Sequence, residues 1–138
     1  MPKADAKLRF TFPSDYARVR EVQRDIVAAL DEHAFDDEGL FAIKLALEEG
    51  LINAVKHGNK LDASKSVEVW ANVSDERFEV VIHDQGAGFV REAVPDPTLE
   101  HNLEKESGRG LMLIEAYMDE VEYTDDGRRL RMMRRNRR

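Results

Sequence analysis

The chain has 138 residues, 42% hydrophobic and 36% charged, which is typical of a single globular domain with a densely charged surface. It has no cysteine, which excludes disulfides and thiolate chemistry and agrees with a reducing cytoplasm. The first residues lack the apolar core of a signal peptide, and no apolar run approaches the roughly 20 residues that span a bilayer, so we expect a cytoplasmic protein that does not enter a membrane.

The net charge of −7 is unevenly distributed. The basic tail, residues 128–138, contains seven arginines and no acidic residue, and the rest of the chain holds 14 basic and 28 acidic residues. An acidic body repels nucleic acid, so we expect no direct nucleic-acid binding. Two interpretations of the tail stay open: a last strand with outward arginines and a solvated end, or a contact with an acidic partner or with phosphates.

The first predicted elements are a strand and a helix. Alternating apolar residues over 8–12 predict a strand that stops at Pro13. Ser14 is a good N-cap, and the helical spacing of apolar residues after it predicts a helix to about Glu32.

A second helix follows a short connection. Asp36 or Asp37 is expected to cap it, and an apolar stripe at helical spacing runs through it. Gly58 is expected to end this helix in the usual role of the glycine that follows the last turn.

The second half of the chain is dominated by strands. Strands are predicted at 66–73, 78–83, 121–123 and 130–133, and a short amphipathic helix at 110–118. Because short turns join most consecutive strands, we expect a largely antiparallel sheet with the helices on one face. The predicted class is α+β, a two-layer α/β sandwich in which residues 1–138 form one domain.

The segment at about 90–107 differs from the rest. It carries Pro95, Pro97 and many charges with little periodicity. Such a long loop in a compact domain is usually functional or disordered, and its place between two glycine-rich motifs favours a mobile lid.

The second predicted helix carries a polar row. Glu49 and Asn53 are four residues apart, so their side chains share one face, whereas Glu48 points about 100° away. An amide oxygen such as that of Asn53 can ligate Mg²⁺, and a carboxylate such as that of Glu49 can accept a proton. An ordinary polar helix face is the alternative.

Asp84 ends the predicted strand 78–83 and precedes Gly86 and Gly88. A carboxylate there can accept a hydrogen bond from an exocyclic amino group, and glycines without a Cβ let a planar base approach the backbone. A plain Asp-x-Gly turn is the alternative.

A second glycine-rich turn, Gly108-Arg109-Gly110, opens the helix predicted at 110–118. Backbone amides at a helix N-terminus, together with one arginine, suit a di- or triphosphate. The pattern is neither a P-loop nor a dinucleotide-binding fingerprint, and a flexible helix start is the alternative.

In this order, the three motifs closely resemble the GHKL ATPase superfamily. Glu49-x-x-x-Asn53-Ala54 resembles its N-box, Asp84-x-Gly86-x-Gly88-Phe89 its first glycine box, and Gly108-Arg109-Gly110-Leu111 its second. The chain's small size and the segment Asn53-Ala-Val-Lys-His-Gly-Asn59 are similar to those of the anti-sigma factor serine kinases. The resemblance runs from about Leu8 to Met133.

This resemblance implies the Bergerat fold, with ATP and Mg²⁺ bound between the helices and the sheet. It implies that Asp84 contacts the adenine amino group, that Asn53 ligates Mg²⁺ and that Glu49 is the catalytic base. The remaining implied nucleotide contacts are Gly86, Gly88, Gly108, Arg109, Gly110 and Leu111.

The resemblance also implies partners. Kinases of this family phosphorylate a serine or threonine on an anti-anti-sigma protein of the STAS type, sequester a sigma factor and usually form homodimers. Two alternatives are an anti-sigma module that binds ATP without transferring phosphate, and a nucleic-acid-associated ATPase that uses the basic tail.

Overall fold

The computed structural model describes residues 4–86 and 114–137. Five antiparallel strands form one sheet in the order β1-β2-β3-β5-β4. The elements are β1 (Ala6–Pro13), α1 (Tyr16–Glu32), α2 (Asp37–Ile52), a π-helical turn (Asn53–Gly58), β2 (Ser66–Val73), β3 (Arg77–His83), a helical turn at 114–117, β4 (Glu120–Thr124) and β5 (Arg129–Arg135). Within these ranges, no helix is long and apolar enough to cross a bilayer.

The strand register explains why the helices cover one face. Val69 pairs with Ile82 across β2 and β3, and Ile82 pairs with Leu130 across β3 and β5. Paired residues point to the same side of a sheet, and all three are buried together with the inner faces of α1 and α2. On the opposite face, Trp70 and Val81 are partly exposed. The prediction of a two-layer α+β sandwich with an antiparallel sheet is therefore confirmed.

The start of α1 differs from the prediction. Asp15, not Ser14, is the N-cap: its backbone is extended and its side chain accepts the amide of Ala17 at 2.9 Å. Ser14 is buried instead, and its hydroxyl donates to the carbonyl of Lys65 at 3.0 Å. Both residues are good caps, so only the tertiary contact of Ser14 decides between them.

The end of α2 also differs. Asp36 caps the N-terminus as expected, accepting the amide of Gly39 at 3.1 Å. At the other end the helix widens into the π-helical turn instead of stopping at a left-handed glycine. Gly58 lies inside that turn, and the left-handed residues are Lys60 and Leu61, with φ of 53° and 59°. The C-terminal role predicted for Gly58 was therefore wrong.

The basic tail forms the last strand, as the first interpretation expected, and a contact with an acidic partner or with phosphates stays a prediction. Most of the tail is β5, where Arg131 pairs with Glu79, its Nε lying 2.6 Å from the carboxylate. The buried Arg134 donates to the carbonyl of Tyr117 at 2.7 Å. Arg135 is exposed, as expected for an outward side chain. Several of the tail's arginines are thus engaged within the fold.

Candidate functional site

The candidate site lies where the π-helical turn meets the C-terminal end of β3. A Cβ atom on Gly86 would overlap the carbonyl oxygen of Gly58, so the two backbones are in direct contact. A Cβ on Gly58 would overlap the carboxylate of Asp84. Glycine is required at both positions because of this close approach, and the strand end and the helix end are pressed together as a result.

Asp84 is the buried acidic residue of this site, with 8% of its surface exposed. Its backbone amide donates to the carbonyl of Arg128 at 2.9 Å, and its Oδ1 accepts the amide of Gly86 at 2.8 Å. Burial raises the pKa of Asp84 above its ordinary value, and the hydrogen bond from Gly86 opposes part of that rise. A buried carboxylate with a raised pKa next to a backbone turn is a candidate for a functional residue.

Asn53 stands at the junction of α2 and the π-helical turn. Its backbone amide donates to the carbonyls of Glu49 and Gly50. Its side-chain Oδ1 is buried and has no hydrogen-bond partner within residues 4–86 and 114–137. Leaving a buried polar atom unpaired is costly, so such an atom calls for a partner beyond residues 4–86 and 114–137, such as a bound ligand. An amide oxygen is the kind of hard ligand that Mg²⁺ accepts, and Asn53 therefore fits the implied metal.

The two adjacent glutamates of α2 have different environments. Glu48 is exposed, whereas Glu49 is half-buried and lies one helical turn before Asn53. Glu49 therefore lies on the Asn53 side of the helix, and Glu48 offers a matched comparison on the exposed side. The catalytic role of Glu49 stays a prediction.

Two residues that the sequence analysis did not single out also hold this site. Asn59 is fully buried, and its Oδ1 accepts the amide of Gln85 at 2.7 Å. Arg128, from the turn between β4 and β5, donates from its Nε to the carbonyl of Gly86 at 2.7 Å. Nothing in the sequence distinguishes Arg128 from the other arginines of the tail. Asn59 ends the segment Asn53-Ala-Val-Lys-His-Gly-Asn59 quoted above, but its burial depends on tertiary packing.

The remaining predicted site residues lie outside the described part of the chain. This holds for the loop at about 90–107 and for five single residues: Gly88, Gly108, Arg109, Gly110 and Leu111. Their roles remain predictions from the sequence.

Comparison with known proteins decides the family. The family model described as "Histidine kinase-like ATPase domain" matches residues 12–134, nearly the whole chain. The chain belongs to this ATPase family. The match covers both parts of the described site, the end of α2 and the end of β3, as the sequence resemblance implied.

The chain is also similar to proteins named as a serine-protein kinase and as an anti-sigma factor. It is 30% identical to the serine-protein kinase RsbW of Bacillus licheniformis over 113 residues, which cover 78% of the chain and 69% of that protein. It is 34% identical to RsbW of Staphylococcus epidermidis over 99 residues, 66% of the chain and 62% of that protein. It is 34% identical to the anti-sigma F factor of Clostridium perfringens over 88 residues, 62% of each.

A solved structure supports the fold. The crystal structure of the RsbU and RsbW domains of a Mycobacterium tuberculosis protein superposes with a TM-score of 0.66 at 20% identity, covering 96% of this chain and 33% of that one. The alignments with the relatives named above span between about three fifths and two thirds of their length.

Proposed function

We propose that this chain is an ATP-dependent protein serine/threonine kinase that acts as an anti-sigma factor. It phosphorylates an anti-anti-sigma protein of the STAS type and sequesters a sigma factor. The observation that carries the proposal is the buried Oδ1 of Asn53, which has no hydrogen-bond partner among the described residues, on a helix end that packs against the buried carboxylate of Asp84. The amide oxygen of Asn53 suits a metal–phosphate complex, and the carboxylate of Asp84 suits the adenine base. Together they form a candidate nucleotide site.

Recognition of the base rests on Asp84. Its carboxylate accepts a hydrogen bond from the exocyclic amino group of adenine, and an ionised acceptor makes such a bond stronger than a neutral one. The missing Cβ of Gly86 admits the carbonyl of Gly58 beside this turn, and the glycine at position 88 is proposed to leave room for the adenine base. The amide of Gly86 donates to the carboxylate of Asp84, and the backbone amide of Asp84 donates to the carbonyl of Arg128. These two hydrogen bonds hold the side chain and the backbone of Asp84 in place before the nucleotide binds.

The phosphate end of the site rests on Asn53 and on residues 108–111. Asn53 would supply an oxygen ligand to Mg²⁺, and the bound ion would neutralise charge on the phosphate oxygens. Gly108, Arg109, Gly110 and Leu111 hold the phosphates through backbone amides and one guanidinium.

Glu49 acts as the catalytic base. It accepts the proton of the serine or threonine hydroxyl of the acceptor protein while that oxygen attacks the γ-phosphorus and ADP leaves. Its half-buried position one turn before Asn53 supports this role, whereas the exposed Glu48 is further from the Asn53 face.

The proposal extends to assembly and location. We propose a cytoplasmic location, because an ATP-dependent regulator of sigma factors acts where transcription occurs. We also propose that the protein is a homodimer. A face of the sheet that none of the described elements covers supports the dimer. A groove of about 350 Å³ lies on this face and is lined by Lys7, Arg9, Trp70, Glu79 and Val81, among others. This surface mixes apolar, basic and acidic side chains, which suits a self-complementary contact.

The alternative is an anti-sigma module that binds ATP without transferring phosphate. A structural site has no need of a base, so the half-buried Glu49 favours the kinase. The test is phosphorylation of the cognate anti-anti-sigma protein with radiolabelled ATP and Mg²⁺. Labelling on serine or threonine that depends on Glu49 supports the kinase; tight ATP binding without any labelling supports the alternative.

A further inference from the structure

Asn59 is a fully buried polar residue that connects four segments of the fold. Its Nδ2 donates to the hydroxyl of Ser14 and to the carbonyl of Ser66, each at 2.9 Å, and its Oδ1 accepts the amide of Gln85 at 2.7 Å. Both donor hydrogens and the acceptor of the carboxamide are therefore used. A buried polar group satisfied in this way rigidifies the segments that it joins.

The backbone of Asn59 closes the π-helical turn. Its amide donates to the carbonyl of Ala54 at 2.8 Å, five residues back, which is the π-helical pattern. The turn begins at Asn53, so the position of Asn59 fixes the end of the segment that carries the buried amide oxygen of Asn53.

The side chain of Asn59 holds the other half of the site. Gln85 lies between Asp84 and Gly86, and its backbone amide donates to Asn59. The side chain of Gln85 accepts the amide of Ser66 at 2.7 Å, which ties the same turn to the start of β2. A displacement of Asn59 would therefore move the peptide next to the Asp84 carboxylate.

We infer that Asn59 is a positioning residue that sets the spacing between the Oδ1 of Asn53 and the carboxylate of Asp84. Its side-chain hydrogen bonds are all made within the protein, so it acts through the two residues expected to contact the nucleotide. The inference rests on the proposed nucleotide site and concerns how that site selects its base. Misplacing a contact by about 1 Å is enough to cost on the order of 100-fold in a preorganised site.

The test is base discrimination. Wild-type protein and Asn59→Ala are titrated calorimetrically with ADP and with inosine diphosphate, which has an oxygen in place of the adenine amino group. In Asn59→Ala we expect ADP to bind about 10- to 100-fold more weakly, while inosine diphosphate loses less, so that the preference for ADP shrinks. The loss should be non-additive with that of Asp84→Asn in a double-mutant cycle, because both changes act on the same contact.

Ser14→Ala is the matched control. It removes one hydrogen bond of the Asn59 carboxamide but leaves the bond to Gln85, so it should lower stability with little change in the preference for ADP. An equal loss of both nucleotides in Asn59→Ala, or additivity with Asp84→Asn, would overturn the positioning role and leave only a structural one.

Two further outcomes keep the inference separate from the proposed function. Wild-type protein that binds no ADP would overturn the nucleotide site itself. Wild-type protein that binds ADP, with a folded Asn59→Ala that binds it equally, would overturn this inference alone. If Asn59→Ala does not fold, amide exchange followed by NMR in the wild type decides the matter: the Gln85 amide should be protected without nucleotide, and rapid exchange there would overturn the inference.

Discussion

The carboxylate of Asp84 lies directly against the backbone of Gly58, so that position 58 has no room for a side chain. This contact joins the π-helical turn that starts at Asn53 to the end of β3. It explains why a glycine is present although its backbone is not left-handed.

The first prediction follows from that contact. Gly58→Ala should destabilise the protein by about 1–3 kcal/mol, the usual cost of overpacking, and weaken nucleotide binding because the added methyl group displaces the Asp84 carboxylate. Chemical denaturation and ADP titration measure the two effects. In an Asp84→Ala background the same change should cost less stability. An undiminished cost there would mean that Asp84 is not the group with which the methyl group collides.

The second prediction concerns the loss of stability that burying the charge of Asp84 causes. Asp84→Asn should raise the melting temperature of the nucleotide-free protein at neutral pH, because it removes a buried charge. The raised pKa of Asp84 indicates that burying this charge destabilises the folded state. The same change should weaken ADP binding by about 10- to 100-fold, since a charged acceptor is lost. Differential scanning calorimetry with and without ADP checks both. A variant less stable than the wild type in the absence of nucleotide would contradict the expected direction.

The third prediction is the pH dependence that the same group causes. The pKa of Asp84 is raised above 3.8 in the folded state, so the folded protein binds this proton more readily than the unfolded chain. As the pH rises through this pKa, ionisation of Asp84 should therefore destabilise the folded state and lower the free energy of unfolding. ADP affinity should change in the opposite sense, weakening as the pH falls and the carboxylate is protonated. The difference between wild type and Asp84→Asn across this range isolates the effect, and parallel curves would count against it.

Strands and motifs were accessible from the sequence, but the details of the site were not. The alternation of Val67, Val69, Ala71 and Val73 identifies β2, because one face of that strand is buried over its whole length. After α2 the chain brings Gly58 into contact with the carboxylate of Asp84, which lies far away in the sequence. No local sequence pattern predicts this contact.

The sequence also did not predict which polar residues are buried. Ser14 and Asn59 are residue types most often found on the surface or at caps, and here they hydrogen-bond to each other in the interior. Helix-capping rules assigned Ser14 to the start of α1, although its hydroxyl is needed elsewhere. Only the packing of β1, β2 and the π-helical turn brings these side chains together.

The fourth prediction tests the proposed homodimer. Trp70→Glu, in the groove on the sheet, should shift the protein toward a monomer in light scattering, because the change replaces the aromatic side chain of the proposed contact with a charge that the contact would bury. Arg24→Glu, at an exposed position of α1, is the control and should leave the mass unchanged. A dimer that survives Trp70→Glu would place the interface on another surface of the protein.

The last prediction separates the two glutamates of α2. Glu49→Gln should retain most of the ATP affinity but slow phosphoryl transfer by about 10²–10⁴-fold, because a base contributes to the rate and little to ground-state binding. Glu48→Gln makes the same chemical change one residue away on the exposed side of the helix and should reduce transfer only slightly. Asn53→Ala should lose Mg²⁺-dependent transfer and also weaken ATP binding, since its oxygen is the expected metal ligand. Transfer is measured with radiolabelled ATP and the anti-anti-sigma protein, and binding by calorimetry on the same preparations. If Glu48→Gln and Glu49→Gln slow transfer equally, the loss reflects the charge of the helix, and Glu49 is not the base.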